Sequence, residues 1–295
     1  MRAIKTQLGL NGVGLGLRPD HYAHILAEYP PVPWFEVISE NYMGLGETSG
    51  GPPIQILESV RENYPIVFHG VSLSIGSVDP LSLSYLKRLK ALAKRFEPAW
   101  ISDHICWTGV HGENLHDLLP LPYTKETVDH LVPRIQQVQD FLGRTLVLEN
   151  VSSYLSYSHS EMTEWEFISE INKRSGCQLL LDINNIYVSS FNHSFDPIKF
   201  LKGVPVKAIT QMHLAGYSDC GHYLIDTHDH PVTDPVWSLY REAVRIFGAV
   251  PTLIEWDAQI PEFYVLAEEM KKAQKIQSEI SKREIPEAVS LNAAT

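Results

Sequence analysis

The stretch Leu146–Val147–Leu148–Glu149–Asn150 carries the pattern that decides the fold. Three consecutive large apolar residues, with a β-favouring valine at the centre, predict a short strand that is buried on both faces. Such strands belong to parallel sheets covered by helices. The run ends abruptly in a carboxylate and an amide. Taken alone, Glu149 has two interpretations, a functional-site residue or a cap and ion-pair partner for the next element, so recurrence of the pattern decides between them.

The same pattern of a short apolar run that ends in a polar residue recurs along the chain. An opening glycine-rich run, 12–17, lacks the Gly-Lys-Ser/Thr of a phosphate loop and the spacing of a dinucleotide fingerprint. Seven further runs, which are the second to eighth predicted strands, end in the following residues: Glu40–Asn41, His69, Asp103–His104, Glu149–Asn150, Asp182, His213 and Glu255.

Helical patterns separate these eight strands, and no linker-like break interrupts them. The clearest predicted helices cover 81–96, 124–142, 234–247 and 261–281; a short helix at 196–202 follows the sixth strand, and 106–121 is predicted as a loop. We therefore predict a single (β/α)8 TIM barrel over 1–280, with 281–295 as a flexible C-terminal tail. In a barrel the carboxyl ends of the strands converge on one axis, whereas a two-domain doubly wound protein would not require seven polar strand ends.

Composition narrows the class of function. The chain has 295 residues, 44% hydrophobic and 20% charged, and a formal net charge of −11. The acidic balance and the absence of a basic run before the last helix argue against nucleic acid as a partner. No apolar stretch approaches a membrane span, and the N-terminus has no apolar signal core, so we predict a cytoplasmic protein without a membrane partner. Cys106, Cys177 and Cys220 are too scattered for a disulfide framework and are expected as small buried hydrophobes.

The polar strand ends predict a metal centre. Carboxylates and imidazoles converging in a barrel mouth without a cation would carry a large desolvation and repulsion cost, which divalent ions would offset. One catalytic ion needs only three or four protein ligands, so two or three ions sharing carboxylates fit the set better. Imidazole and carboxylate donors without thiolate suit zinc, iron or manganese, and the residues do not choose among them. The candidate ligands are His69, His104, Glu149, Asp182, Asn185, His213, Asp226, His228 and Glu255.

These motifs, in this order, resemble the MbnB/TglH family of multinuclear non-haem iron enzymes, which modify cysteine in ribosomally made peptides. The resemblance covers about 9–280. It rests on the following segments: Glu40–Asn41–Tyr42–Met43, Phe68–His69–Gly70, Ser102–Asp103–His104, Leu148–Glu149–Asn150, Leu181–Asp182–Ile183–Asn184–Asn185, Met212–His213–Leu214–Ala215–Gly216, Asp226–Thr227–His228 and Ile254–Glu255–Trp256–Asp257. It implies a xylose-isomerase-like barrel, in agreement with the barrel predicted from the strand pattern.

The resemblance implies two to three iron ions, Fe2+ or Fe3+, with dioxygen as co-substrate. A first iron would lie on His69, His104 and Glu149. A second would share Glu149 with Asp182, His213 and Glu255, and a third would use Asn185, Asp226 and His228. The substrate would be a cysteine-containing precursor peptide. A separate leader-binding partner protein, forming a heterodimer with the chain, would hold that peptide.

The resemblance also suggests roles for individual residues. We assign catalytic roles to Glu149, Asp182, Asn185 and Asp103. Residues expected to contact substrate or to orient the ligands are Glu40, Asn41, Asn150, Asn184 and Asp257; helix capping or loop hydrogen bonding is the alternative for several of them.

Two rival enzymes share the barrel and most of the ligand order. The endonuclease IV family is a trinuclear zinc phosphodiesterase, but it uses histidine where this chain has Asn185, and this chain is acidic. A sugar isomerase of the xylose isomerase type would want a lysine near the site, and no predicted strand ends in one. The resemblance therefore implies oxidative modification of peptide cysteine, through oxazolone and thioamide formation, thiooxazole formation or β-carbon excision.

Overall fold

The computed structural model describes residues 9–44 and 51–283. Twelve strands occur in this part of the chain: β1 Val13–Gly16, β2 Phe35–Ile38, β3 Ile66–His69, β4 Ile101–His104, β5 Trp107–Val110, β6 Glu113–Leu119, β7 Leu146–Glu149, β8 Gln178–Asp182, β9 Ile209–Leu214, β10 Ser218–Asp219, β11 Leu224–Ile225 and β12 Thr252–Ile254. Eight of them, β1, β2, β3, β4, β7, β8, β9 and β12, form a closed barrel in that order, and their pairings are parallel.

Ten α-helices accompany these strands within the described ranges: α1 Tyr22–Glu28, α2 Glu40–Met43, α3 Pro52–Asn63, α4 Leu83–Phe96, α5 Lys125–Leu142, α6 Glu164–Ser175, α7 Ile183–His193, α8 Pro197–Gly203, α9 Asp234–Phe247 and α10 Phe263–Arg283. Short 3-10 turns cover Pro19–His21 and Val206–Ala208. The alternation of strands and helices confirms the predicted TIM barrel.

Local signals explain the helices whose positions the sequence pattern predicts well. Thr124 begins α5, where its hydroxyl accepts a hydrogen bond from Thr127 N at 3.1 Å. Gly143 ends the same helix in a left-handed conformation, φ 70°. Helix α6 begins with a capping box between Thr163 and Glu166. These caps satisfy backbone groups that have no partner within the helix.

The barrel interior changes character along its axis. Trp34, Val67 and Leu253 are fully buried and form an apolar plug, against which Trp100 packs. Gly14 faces this plug, and a Cβ there would overlap the Trp34 indole, which explains a glycine within the first strand. The larger apolar core lies between the strands and the surrounding helices. The polar residues at the carboxyl ends of the strands lie beyond this apolar plug, at the barrel mouth.

Strand register sets the ligands level with one another. Pairing of β4 with β7 places His104 opposite Glu149, and pairing of β8 with β9 places Asp182 opposite His213. Since the strands run parallel, the four side chains rise to the same end of the barrel.

Several expectations need correction. The predicted loop 106–121 contains the hairpin β5–β6, and the segment after the sixth barrel strand forms the 11-residue helix α7, which the sequence did not predict. Cys106 and Cys177 are buried as expected, but Cys220 is exposed. Helix α10 continues to Arg283, and the rest of the predicted tail lies outside the described residues. Within 9–44 and 51–283, no helix combines the length and apolarity needed to cross a membrane.

Candidate metal centre

The first cluster joins three adjacent barrel strands through His69, His104 and Glu149. Both imidazoles direct Nε2 toward the same oxygen, Glu149 Oε2, each at 3.4 Å. Their other nitrogens are engaged: His69 Nδ1 lies 2.8 Å from Ser102 Oγ, and His104 Nδ1 lies 3.1 Å from the Gly70 carbonyl. Ser102 donates to the Phe68 carbonyl and so accepts a hydrogen bond from His69, while the Gly70 carbonyl can only accept one from His104. We therefore assign the ring proton of both histidines to Nδ1. Both Nε2 lone pairs are then free for an ion.

The second cluster shares Glu149 with the first and adds Asp182, His213 and Glu255. Their ligand atoms lie within 4.8 Å of one another. His213 Nδ1 is 2.8 Å from Glu255 Oε2 and 3.8 Å from Glu149 Oε1. The two oxygens of Glu149 therefore face different imidazole groups, which is the arrangement that a bridging carboxylate requires.

The third predicted set is brought together only in part. His228 Nε2 lies 2.7 Å from Asp226 Oδ1, while its Nδ1 lies 3.1 Å from Asp257 Oδ2 and 3.6 Å from Glu255 Oε2. The geometric cluster at this position is His228, Glu255 and Asp257. Asn185 lines the same pocket as Asp226 and His228. The structure therefore adds Asp257 to the neighbourhood of the third predicted site.

Burial makes the ionised form of the cluster carboxylates unfavourable, and a bound cation would offset this free-energy cost. Burial raises the pKa of Glu149 well above its usual range, with Asp182 and Glu255 adding to the rise and His213 opposing it. Burial also raises the pKa of Asp182 to about 7, and the nearby Asp226 carboxylate acts in the same direction. Carboxylates in this state bind protons when no other cation neutralises them.

The histidines fall into two electrostatic classes. Burial lowers the pKa of His69 well below its usual value and that of His104 to about 4, so both rings are neutral, which is the state that binds metal. Burial opposes protonation of His213 and His228 as well, but the surrounding carboxylates raise both pKa values well above the usual range. The same two imidazoles lower the pKa of Glu255 against the effect of its burial.

Unpartnered buried atoms show that the clusters suit metal ions. In the part of the chain that the structure describes, buried oxygens of Glu149 (Oε2), Asp182 (Oδ2) and Asn185 (Oδ1) accept no hydrogen bond. A buried acceptor without a partner costs about 1–3 kcal/mol. Three such oxygens beside imidazole lone pairs fit divalent ions with oxygen and nitrogen ligands.

A carboxylate in the middle of β2 orients His213. Glu36 is buried, with Oε2 3.2 Å from His213 Nε2 and 2.6 Å from Gln211 Nε2. Trp100 Nε1 donates to Gln211 Oε1 at 2.5 Å and so fixes the amide orientation. The two Nε2 atoms lie only 2.8 Å apart, and we assign both as donors to the same Glu36 oxygen. With the Nε2 proton held by Glu36, Nδ1 is the nitrogen that would bind an ion, which would displace the second proton favoured by the surrounding carboxylates.

Glu36 and Gln211 were not predicted as site residues, because they lie within strands and not at strand ends. Glu36 lies within the otherwise apolar strand β2. Gln211 lies two positions before His213 in β9, so both side chains of that strand face the barrel interior. Strand ends alone could not identify them.

The predicted asparagines hold the ends of β7 and β8 together. Asn150 donates through Nδ2 to the Asp182 carbonyl at 3.1 Å and accepts from Asp182 N at 3.0 Å. Asn185 donates through Nδ2 to the Asn150 carbonyl at 3.1 Å, which turns its own Oδ1 away from that bond. Asn184 donates to Asp226 Oδ1 at 2.6 Å. These contacts connect Asn150 with Asp182 and Asn184 with Asp226, and the predicted role of both asparagines in orienting the ligands stays a prediction.

Asp103 and Glu40 face the loop after β3. Asp103 Oδ2 accepts from Leu73 N at 3.2 Å, and Glu40 Oε1 accepts from Val71 N at 3.0 Å. Tyr85 donates its hydroxyl to Glu40 at 2.8 Å. Neither carboxylate lines the metal-cluster cavity, so the catalytic role assigned to Asp103 stays a prediction. Asn41 is exposed, and its predicted role is likewise untested.

The clusters open into a cavity of about 220 Å³, here called the metal pocket, whose lining includes His69, His104, Glu149, Asn185, Asp226 and His228. Two residues were not predicted: Tyr154, which lines this pocket, and Arg18, which contacts the lining residue Asp257. Arg18 pairs with Asp257 and donates through Nε to the Trp256 carbonyl at 2.9 Å. Tyr154 lines the pocket, and its hydroxyl accepts a hydrogen bond from Asp226 N at 3.0 Å.

A closed barrel with clustered imidazole and carboxylate groups at the carboxyl ends of its strands defines a TIM-barrel enzyme with a candidate multinuclear metal centre. A sequence profile described as "RiPP precursor modification enzyme MbnB/TglH/ChrH" matches residues 12–278. RiPPs are ribosomally made peptides that are modified after translation. The chain belongs to this family.

The chain is also similar in sequence to bacterial proteins named UPF0276. The chain is 50% identical over 264 residues to a UPF0276 protein of Acaryochloris marina, covering 90% of this chain and 94% of that one. It is 53% identical over 269 residues to a UPF0276 protein of Anaeromyxobacter sp., covering 91% and 94%.

Two solved structures share the fold at low identity. A xylose isomerase-like TIM barrel protein from Mycobacterium smegmatis, in complex with magnesium, has a TM-score of 0.58 at 13% identity, covering 92% of this chain and 97% of that one. Endonuclease IV from Thermus thermophilus has a TM-score of 0.57 at 14% identity, covering 92% and 99%. These likenesses confirm the predicted xylose-isomerase-like barrel.

Proposed function

We propose that this protein is an iron-dependent enzyme that uses dioxygen to modify cysteine oxidatively in a ribosomally made precursor peptide. The observation that carries the proposal is the pair of clusters sharing Glu149, four of whose residues (His69, His104, Glu149 and Glu255) line one open pocket. Membership of a family of precursor-modifying enzymes supports a peptide as the substrate.

Three groups of residues would hold the ions. His69 and His104 with Glu149 would hold one, and Glu149 with the second cluster would hold another. A third ion would lie near His228, with Asp226 and Asn185 as predicted ligands. Mixed imidazole, carboxylate and amide donors suit iron. When bound, iron supplies a redox-active centre that can hold a cysteine thiolate and dioxygen side by side.

The chain's own residues prepare the pocket for that chemistry. Ser102 and the Gly70 carbonyl fix the rings of His69 and His104, and Glu36 fixes His213. Rigid rings hold the reacting groups within the narrow range of positions that reaction requires.

Tyr154 is placed to contact a bound substrate. Its hydroxyl accepts from Asp226 N and lies 3.3 Å from Ser152 Oγ, which we assign as a second donor to it. The phenolic hydrogen is then free to donate into the metal pocket. In this role Tyr154 would donate a hydrogen bond to a peptide carbonyl or to an oxygen atom near the ions.

We propose that the peptide is delivered by a separate leader-binding protein, forming a heterodimer with this chain in the cytoplasm. The metal pocket, at about 220 Å³, accommodates a few side chains of the substrate and not a whole leader segment. Recognition of a long peptide therefore needs additional surface, which a partner would supply.

Purification in air followed by metal analysis and Mössbauer spectroscopy tests the proposal. We expect about two to three irons per chain and oxygen uptake when a cysteine-containing precursor peptide is added. Replacing that cysteine by serine should abolish the uptake. Full zinc occupancy that supports phosphodiesterase activity, without iron or oxygen uptake, would instead favour an enzyme of the endonuclease IV type.

A variant of the shared carboxylate tests the paired arrangement. Glu149→Ala removes oxygen atoms from both clusters, so it should lose at least one iron and nearly all oxygen uptake. Glu28→Ala, at an exposed position on α1, is the matched control and should retain both. Full iron content and turnover in Glu149→Ala would show that Glu149 does not bridge.

A further inference from the structure

A second cavity lies on the same face of the barrel. Its volume is about 230 Å³, and we call it the aromatic pocket. Its apolar walls are formed by Leu121, Tyr123, Leu155, Tyr157, Trp165 and Phe195. Trp165 and Phe195 pack with ring centroids 5.9 Å apart. No residue assigned to the metal clusters lines this pocket.

One stretch of backbone separates the two pockets. In the segment 151–156, Val151, Ser152 and Tyr154 line the metal pocket, whereas 153, 155 and 156 line the aromatic pocket. The wall between the pockets is therefore a single chain with side chains on both sides. Because side chains extend from both sides of this chain, we take the two pockets to lie roughly 10 Å apart, the usual spacing of layers that pack through their side chains. An extended peptide advances roughly 3.3 Å per residue. About three peptide residues would connect the pockets.

Hydrogen bonds hold the aromatic pocket open without a ligand. The backbone of Tyr123 fixes the far end of the separating loop, since its carbonyl accepts from Glu161 N at 2.9 Å and its N–H donates to Ser160 Oγ at 3.2 Å. Tyr157 donates its hydroxyl to the Pro120 carbonyl at 3.1 Å. A preformed pocket binds without the entropy cost of ordering its walls.

The chemistry of the aromatic pocket favours an uncharged occupant. Burial raises the pKa of Glu164, the buried carboxyl that lines this pocket, to about 8, although the hydrogen bond from Tyr123 acts to lower it. Glu164 is therefore neutral at pH 7. Leu155 is 46% exposed and adds apolar surface at the entrance. Aromatic walls of this kind bind another aromatic ring through edge and offset contacts.

We propose that the aromatic pocket is a second substrate subsite, which binds an aromatic side chain located about three residues from the cysteine in the metal pocket. The inference rests on the proposed function in one respect, that the substrate is a peptide. It adds a sequence requirement that the metal centre alone would not impose.

Short peptides measure this requirement directly. Acetylated, amidated Trp-Gly-Gly-Cys and Cys-Gly-Gly-Trp present the ring on either side of the cysteine, and the matching peptides with alanine for tryptophan are the controls. Affinities are measured by calorimetry on the iron-loaded protein without oxygen. We expect one tryptophan peptide to bind at least tenfold more tightly than its alanine counterpart.

Three loop variants test whether the aromatic pocket causes the preference for tryptophan. Ser156→Trp inserts a ring into the aromatic pocket and should abolish the tryptophan preference. Ser158→Trp adds the same ring at an exposed position of the same loop that lines neither pocket, and should retain it. Leu155→Ala shortens the wall and should reduce the preference severalfold. Equal affinity of tryptophan and alanine peptides in both orders, or a preference that survives Ser156→Trp, would overturn the proposal.

The same peptides separate this inference from the proposed function. Oxygen uptake with cysteine peptides but no tryptophan preference would refute the subsite alone. A preference that Ser156→Trp removes, without oxygen uptake or loss of cysteine even when a full precursor peptide and its leader-binding partner are supplied, would refute the oxidative function and leave the subsite standing.

Discussion

Substitution of Glu36 by glutamine tests how the barrel interior controls the metal centre. Glu36 is 2% exposed, and its Oε2 lies 3.2 Å from His213 Nε2. The negative charge favours a proton on Nε2 and leaves Nδ1 free to bind an ion. A neutral amide loses this preference, and a proton on Nδ1 then competes with the ion. Removing such an orienting partner weakens metal affinity by about 10- to 100-fold, or about 1.4–2.7 kcal/mol.

The structure predicts which of the ions is affected. His69 and His104 have their own partners, Ser102 and the Gly70 carbonyl, and do not touch Glu36. Anaerobic titration of the metal-free protein with Fe2+ should therefore show one class of site unchanged and another weakened about 10- to 100-fold. The control is Glu62→Gln, at an exposed position of α3. Unchanged affinity, or equal weakening of all sites, would refute the orienting role of Glu36.

Three other measurements follow from the same contacts. Chelation of bound metal should lower the melting temperature by roughly 8–16 °C when the metal had been present at about 1,000 times its Kd, since this concentration contributes about 4 kcal/mol; an unchanged melting temperature would contradict metal binding by the folded state. The free energy of unfolding of the wild type should fall as pH rises from about 5 to 8, and Glu164 should contribute up to about 1.4 kcal/mol per pH unit. The reason is that Glu164 keeps its proton until about pH 8 in the folded protein but loses it near pH 4.5 in the unfolded chain. Glu164→Gln should reduce that slope in denaturant titrations, and an identical slope would place the dependence elsewhere. Gly14→Ala should cost about 1–3 kcal/mol in the same titrations by forcing a Cβ into the Trp34 indole, and full stability would show that the plug can relax.

Apolar runs and their polar ends were sufficient to predict the barrel, because burial on both faces leaves an unbroken hydrophobic signal. The hairpin β5–β6 left no such signal. Its longer strand, β6, is largely exposed and carries an irregular register against β5, so apolar and polar residues do not alternate. Its turn uses His111 and Gly112, at φ 55° and 79°, in place of the Asn-Gly pair that marks most two-residue hairpins.

Helix α7 escaped prediction for a different reason. It follows β8 without an intervening loop, and its sequence is rich in asparagine, serine and β-branched residues, which are weak helix formers. Packing between helices and strands, not intrinsic propensity, stabilises such a helix. A sequence pattern that depends on strong helix formers and on separating turns cannot detect it.

Asp182 shows why individual strand-end residues resist assignment from sequence. The alternatives considered for such a carboxylate were a helix cap and a metal ligand. The structure places one oxygen in each environment: Oδ1 accepts from Asn185 N at 2.7 Å and caps α7, while Oδ2 has no hydrogen-bond partner among the described residues and faces the second cluster. Capping fixes the carboxylate plane, so the free oxygen is held toward the cluster by the start of the helix itself. Helix α7 thereby positions its own N-terminal residue for metal binding, and the two interpretations of Asp182 are parts of one arrangement.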